Sequence, residues 1–306
     1  MNPVEETYRL IKKYDIHARK RFGQNFLTDS HVLEKITRAS GVGEGDFVLE
    51  IGPGLGTLTR ALCEKVSGTW DASDVGAEDP SPQKEARGHV LAVEIDYDLV
   101  DILEKEVMPL YPQLEVIEGD ILKTDITEIS KKYNNGKPIK IVANLPYYIT
   151  TPIIMELLEG AAPVESITVM VQKEVADRMM AAPGDRDCGA VSLAVAYRAV
   201  PYLAANVPQN CFKPRPNVSS AVIRLDILDE PLVHTEDEKL MFKLIRAAFS
   251  QRRKTLVNAI AGSAELDISK DAALLAIQKV GLSPTVRGEK LDLKAYAKLA
   301  DALRKS

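Results

Sequence analysis

Up to about residue 228 the chain alternates short apolar runs with stretches at helical spacing, and beyond it the pattern is helical alone. Phe47-Val48-Leu49-Glu50-Ile51 reads as a buried strand, since a nearly continuous apolar run suits a parallel sheet covered on both faces. Leu58, Ala61, Leu62 and Val66 then recur at helical spacing. The strand pattern returns in His89-Val90-Leu91-Ala92-Val93-Glu94-Ile95-Asp96, Leu114-Glu115-Val116-Ile117, Ile139-Lys140-Ile141-Val142 and Ser166-Ile167-Thr168-Val169-Met170-Val171, the last followed by a helix through Met180. Helices are expected over 236–260, 270–280 and 293–303. Strands interleaved with helices predict an α/β fold built on a Rossmann-like sheet over residues 1–228. A small α-helical domain over 229–306 is joined to it through Asp229-Glu230-Pro231.

The first strand runs directly into Gly52-Pro53-Gly54-Leu55-Gly56, the glycine turn of a nucleotide-binding unit, where backbone can approach a ligand closely. Its spacing is G-x-G-x-G, not the G-x-G-x-x-G that places a pyrophosphate on a helix N-terminus. Glu50, two residues before the first glycine, repels a diphosphate and favours a cation. A positively charged, phosphate-free cofactor such as S-adenosylmethionine therefore fits better than a dinucleotide. Glu94 closes the next strand and can accept both hydroxyls of a ribose. In such folds this acid lies about 20 residues past the glycines, yet Glu94 is 42 residues after Gly52. The excess is a polar, acidic stretch over 67–88, read as a solvated surface insertion. Asp120, after the third strand, is placed to accept an adenine amine while Ile121 packs on the ring.

Asn144-Leu145-Pro146-Tyr147, after the fourth strand, suits a different base. Two acceptors, the Asn144 amide oxygen and the Leu145 carbonyl, can take the two hydrogens of an exocyclic amine. Pro146 stiffens the turn, and Tyr147 offers a flat face to a flipped base. Gly52, Glu94, Asp120 and Asn144 all fall at strand ends, where ligands bind in open α/β sheets.

With 306 residues and 45% hydrophobic content the chain suits one large α/β domain and a smaller one. Cys63, Cys188 and Cys211 are scattered, as are the four histidines, so neither a disulfide framework nor a metal site is indicated. No signal peptide or membrane-spanning run is visible, and a cytoplasmic location is expected. The net charge of −5 is not the footprint of a nucleic-acid binder. Its distribution changes that picture. Lys12, Lys13, Arg19, Lys20 and Arg21 cluster early, and Lys239, Lys243, Arg246, Arg252, Arg253 and Lys254 follow one another with no acid between them, on a predicted amphipathic helix. Such a surface can hold RNA phosphates.

Together these segments resemble a known family. Arg19-Lys20-Arg21-Phe22-Gly23-Gln24-Asn25-Phe26-Leu27-Thr28-Asp29, Glu50-Ile51-Gly52-Pro53-Gly54, Val93-Glu94-Ile95-Asp96, Gly119-Asp120, Asn144-Leu145-Pro146-Tyr147, Val171-Gln172-Lys173-Glu174-Val175, Phe212-Lys213-Pro214-Arg215-Pro216 and Ser250-Gln251-Arg252-Arg253-Lys254-Thr255 are similar to the motifs of the bacterial small-subunit ribosomal RNA adenine dimethyltransferases. The resemblance implies a class I S-adenosylmethionine-dependent methyltransferase with a seven-stranded sheet. Segments 189–197 and 219–225 would form its closing antiparallel pair. It implies dimethylation of N6 on two adjacent adenosines in the 3′-terminal hairpin of 16S rRNA, within the immature small subunit, by a monomer that needs no metal and releases S-adenosylhomocysteine. Carried over by motif, cofactor contacts fall on Asn25, Leu27, Gly52, Glu94, Asp120 and Asn144. The target pocket falls on Asn144, Leu145, Tyr147 and Phe212, with Phe212 stacking opposite Tyr147. Two departures stand out: the 67–88 insertion is longer than relatives usually carry, and Cys188 stands where they usually have Tyr. Two other readings remain at this point. The large-subunit methyltransferases of macrolide resistance share the Asn-Leu-Pro-Tyr turn, and a non-catalytic assembly factor can keep the cofactor fold.

Overall fold

A computed structural model describes residues 2–16, 24–67, 88–160 and 162–304 of the protein. Helix α1 (Pro3–Lys13), a short strand β1 (Phe26–Leu27) and helix α2 (Ser30–Ser40) lead into β2 (Phe47–Ile51). Strands and helices then alternate: α3 (Thr57–Val66), β3 (His89–Glu94), α4 (Tyr97–Glu106), β4 (Leu114–Glu118), α5 (Ile126–Asn134), β5 (Ile139–Asn144), α6 (Thr150–Glu159), β6 (Val164–Gln172) and α7 (Lys173–Met180). Next come α8 (Ala190–Arg198), β7 (Ala199–Val207), β8 (Phe212–Lys213) and β9 (Ser220–Ile227). The chain ends in α9 (Glu238–Ser250), α10 (Leu256–Ala261), α11 (Lys270–Lys279) and α12 (Leu293–Arg304).

The main sheet has seven strands in the order β4-β3-β2-β5-β6-β9-β7. β2 pairs in parallel with both β3 and β5, so the strand order reverses beside β2, which is where open α/β sheets place their ligands. β6 and β9 pair antiparallel, with Met170 opposite Val222. Every residue of β2 is buried, as a strand covered on both faces requires. Acids and small residues set the helix starts: Asp29 caps α2 by accepting from the Val32 N–H at 3.0 Å, and Asp96 caps α4 by accepting from the Asp98 N–H at 3.3 Å. A separate two-stranded ribbon pairs Leu27 of β1 with Phe212 of β8.

The structure corrects two expectations. Residues 190–198 form a helix, not a strand, and the strand comes directly after it as β7. Val191, Ser192, Leu193, Ala194, Val195 and Tyr197 are all buried, so the run is apolar on every side and carries no periodicity that separates helix from strand. Ser192 starts the helix by accepting from the Gly189 N–H at 2.9 Å. β7 lies at the sheet edge, is more exposed than a central strand, and carries Pro201, which hid it in the sequence. The expected helix over 236–260 is likewise broken, because the polar segment between Ser250 and Leu256 has no apolar face to bury.

Two compact units emerge, one comprising Met1–Ile153, Ala161–Ala176 and Tyr202–Asp226, the other Ile154–Gly160, Asp177–Pro201 and Ile227–Ser306. In the second unit α9 buries Met241, Phe242, Leu244 and Ile245, and the Phe242 ring meets Tyr197 edge-on at 5.3 Å. The proposed boundary at 228/229 lies close to the last of these divisions.

Candidate functional site

The carboxyl ends of β2, β3, β4 and β5 open into one cleft of about 1070 Å³, its mouth included. Asn25, Leu27, Gly52, Glu94, Asp120, Asn144, Leu145 and Tyr147 all line it. Gly52 has φ +67, which favours glycine, and its N–H donates to the Val93 carbonyl at 2.9 Å. Nothing lies within 4 Å of where a Cβ would stand on Gly52, so the turn leaves free space for a ligand.

Glu94 is held from three sides. One carboxylate oxygen accepts from the Gly54 N–H at 3.1 Å, the other from the Ile95 and Asp96 N–H groups at 2.9 and 3.0 Å. Burial to 6% exposure raises its pKa above the usual carboxylate range, and those backbone donors oppose the rise. Glu50 is fully buried, and its Oε2 has no hydrogen-bond partner among the described residues. Burial, assisted by the Glu94 charge, pushes it up to about 8. The sequence argument gave Glu50 a negative charge, and its burial in the free protein works against that charge. Asp120 is more open, and one oxygen accepts from the Leu122 N–H at 3.1 Å.

On the β5 side, the Asn144 side-chain NH₂ donates to the Asn25 carbonyl at 3.3 Å, which leaves its amide oxygen available to a further donor. The Leu145 N–H continues the sheet by donating to Met170 at 3.1 Å, and the Pro146 carbonyl accepts from the Ile149 N–H and the Thr150 hydroxyl, turning the chain into α6. The Tyr147 hydroxyl lies 2.7 Å from the Ser220 hydroxyl, so the half-buried ring is tethered at its far end. Tyr148 beside it is 57% exposed. Phe212 is placed differently from the sequence expectation. It is 5% exposed, packed in the core cluster that contains Leu27, Val32 and Val207, and it does not line the cleft. Its strand pairing with Leu27 explains this: the ring braces the ribbon that brings Asn25 and Leu27 to the site.

Sequence reasoning missed Phe26, Thr57 and Ile95, which also line the cleft. Ile95 carried a signal, an apolar residue directly after the strand-end acid and left 47% exposed. Thr57 carried none. Its hydroxyl lies 2.5 Å from that of Thr7, where α1 packs on the start of α3.

The basic residues divide in a way the sequence hid. Arg246 is claimed by Glu159 and Glu265. Arg252 donates to Glu289 at 3.3 Å and to the Arg186 carbonyl at 3.2 Å. Arg253 and Lys254 are exposed and have no ion pair among the described residues. The Lys20–Arg21 pair and nearly all of the 67–88 insertion lie outside the described residues.

Comparison with known proteins now separates the readings. The family model described as ribosomal RNA adenine dimethylase matches residues 16–69 and 83–300, and the gap it leaves falls inside the 67–88 insertion. A protein of Lachnoclostridium phytofermentans named ribosomal RNA small subunit methyltransferase A is 51% identical over 299 residues, covering 98% of this chain and 96% of its own. One of the same name from Alkaliphilus oremlandii is 42% identical over 301 residues, covering 98% and 97%. Among solved structures, a dimethyladenosine transferase from Plasmodium falciparum has a TM-score of 0.64 at 24% identity, covering 90% of this chain and 95% of its own. The 23S rRNA methyltransferase ErmE has 0.57 at 23%, covering 92% and 100%. The two structures speak to the fold, a methyltransferase α/β sheet. With the family model matched over most of its length and such relatives end to end, this chain belongs to the ribosomal RNA adenine dimethylase family.

Proposed function

We propose that the protein transfers methyl groups from S-adenosylmethionine to N6 of two adjacent adenosines in the 3′-terminal hairpin of 16S rRNA, leaving S-adenosylhomocysteine. Beside family membership, one observation carries this reading: four neighbouring strand ends deliver Gly52, Glu94, Asp120 and Asn144 to one cleft. The open space at Gly52 and the strand-end carboxylates suit a nucleoside cofactor without phosphates. In this reading Glu94 accepts the ribose hydroxyls with lone pairs its backbone donors leave over, Asp120 accepts the adenine amine, and Asn25 and Leu27 close the site from β1. When bound, S-adenosylmethionine supplies an electrophilic methyl group.

The chain's own part is to hold the base. The Asn144 amide oxygen and the Leu145 carbonyl accept the N6 hydrogens, and Tyr147, fixed through Ser220, offers a stacking face. An amine conjugated to a purine is a weak nucleophile. Two acceptors that draw its hydrogens out of the ring plane favour the tetrahedral geometry in which its lone pair can react, and positioning contributes much of the acceleration. Stacking orients the base as well as hydrogen bonding does, so an adenosine that has lost one N–H can be accepted again. Phe212 serves as a second stacking face only if its ring leaves the core. The protein acts as a monomer on the immature small subunit, without a metal. Among the described residues no helix is long and apolar enough to cross a membrane.

The reading is tested with purified protein, immature small subunits and S-adenosylmethionine, analysing the rRNA by mass spectrometry. Two adjacent dimethyladenosines near the 3′ end are expected. Modification of the large subunit alone would point to the macrolide-resistance activity, and none at all to an assembly factor.

A further inference from the structure

Arg60, on α3, is 2% exposed, an unusual depth for a guanidinium. Its Nη1 donates to the carbonyls of Leu55 and Gly56, each at 2.9 Å. Its Nε and Nη2 have no hydrogen-bond partner among the described residues. The surroundings are tight, and the charges that act on Arg60 from further off include the carboxylates of Glu6 and Glu106. Gly56 has φ +77, and a Cβ there would stand 2.9 Å from Nη1 and 3.1 Å from the Leu103 and Val107 side chains. Burial also presses the Arg60 pKa below the usual guanidinium range.

A cation buried with two idle donors costs stability, and apolar replacements of such groups are often neutral or stabilising. The charges of Glu6 and Glu106 act on Arg60 without bonding its idle donors, and what its guanidinium holds directly is the glycine turn. The amides of that turn are already committed, Gly52 to the Val93 carbonyl and Gly54 to Glu94. Arg60 holds the carbonyls at its other end, and Gly54, Leu55 and Thr57 line the cleft. We infer that Arg60 is a positioning residue that fixes the glycine turn for the cofactor, at a net cost to the stability of the fold. The inference rests on reading the cleft as the S-adenosylmethionine site.

The opposite signs make the test. Thermal melting and calorimetric titration with S-adenosylmethionine and S-adenosylhomocysteine are run on the wild-type protein, R60M and R60K. R60M keeps most of the volume without a donor. It is expected to melt at or above the wild-type temperature and to bind both ligands about tenfold more weakly, the scale of losing one or two hydrogen bonds. R60K keeps a donor and is expected to recover part of that affinity. Wild-type affinity in R60M overturns the inference, whatever its melting temperature. An R60M that melts low overturns the cost to the fold; if it also binds weakly, R60K decides the positioning, which affinity regained while melting stays low supports and the two moving together overturns in favour of an ordinary core residue. Should R60M fail to fold, R60L, likewise without a donor, takes its place, and wild-type binding by it overturns the inference. A wild-type protein that binds neither ligand fails at the earlier step, the identification of the cleft.

Discussion

The cleft at the ends of β2–β5 and the turn between α9 and α10 are the two charged regions the proposed function calls on, and they are built in opposite ways. In the cleft Glu50 and Glu94 are buried, and three backbone amides take the oxygens of Glu94. At the turn Arg252, Arg253 and Lys254 stand in solvent, and among the described residues only Arg252 has a protein acid to hold it. A buried group held by backbone has a fixed position and a charge set by its surroundings. An exposed cation keeps its charge, lacks a fixed position, and is screened by salt. The first arrangement can select one ligand among many, while the second can grip any polyanion. Damage to the cleft should therefore be large and insensitive to salt, and damage to the turn small and salt-dependent.

The largest effect is expected behind the cleft. Phe212→Ala should cost about 3–5 kcal/mol of stability, the usual range for deleting a buried aromatic ring, measured by urea denaturation. Phe212→Leu sharpens the point, because it keeps most of the packing at a cost under about 1.5 kcal/mol. If F212L is stable and still methylates at the wild-type rate, the ring is a brace for β1 and β8. If it is stable and inactive, the ring leaves the core to stack on the base.

Within the cleft, Asn144→Ala should slow transfer by about 10²–10³-fold, the scale for removing one positioned hydrogen-bonding group. Single-turnover rates on small subunits would measure it, with a melting curve to show the fold intact. An unimpaired rate would remove Asn144 from the chemistry. Glu94→Ala should weaken S-adenosylmethionine binding by about 1.5–3 kcal/mol, as for charge-assisted hydrogen bonds. Asp120→Asn should weaken it less, since an amide oxygen still accepts and the site is more open. Calorimetry showing the reverse order would exchange the two roles.

Glu50 adds a pH dependence that the turn cannot have. Its folded pKa of about 8 lies above the ordinary 4.5, so the folded state holds the extra proton between those values. That contribution to stability is fully present at acid pH and is lost as pH rises through about 8. The ligand-free protein should thus melt progressively lower from pH 5 to pH 8, and Glu50→Gln, neutral throughout, should flatten the trend. Parallel curves for the two proteins would show that Glu50 is already ionised.

What the sequence made legible follows the same division. Strand ends that carry function also carry their own punctuation: the glycines after Ile51, the acid at Glu94, and Asn144-Leu145-Pro146 after β5. Each could be placed because a turn needs particular residues and a parallel strand needs a continuous apolar run. The segment 190–198 had no such marks. Buried on every side, it offered an apolar run without a period, and the true edge strand beside it was interrupted by Pro201. Phe212 sat in a proline-rich loop that reads as exposed, and only the pairing of β8 with β1, distant in sequence, buries it. The depth of Arg60 and the raised pKa of Glu50 were equally invisible, since both depend on what other segments pack around them. The count of free cations failed for that reason too: Glu159, Glu265 and Glu289 all lie outside the 239–254 stretch whose positive charge they offset.

That last correction fixes the smallest prediction. If the turn grips rRNA phosphates, Arg253 and Lys254 do most of the gripping, because Arg252 must first leave Glu289 and the Arg186 carbonyl. Each phosphate contact releases counterions, so the logarithm of subunit affinity should fall with the logarithm of salt concentration by about 0.7–0.9 per contact. Replacing Arg253 and Lys254 by Ala should flatten that line by about that amount for each residue removed. Arg252→Ala should change it less, and none of the three should alter S-adenosylmethionine binding. Subunit binding at several salt concentrations distinguishes the cases. Parallel lines for wild type and the Arg253/Lys254 variant would mean that the exposed cations only face solvent and that the RNA docks elsewhere. Equal effects at Arg252 would mean that Glu289 releases its partner when RNA arrives.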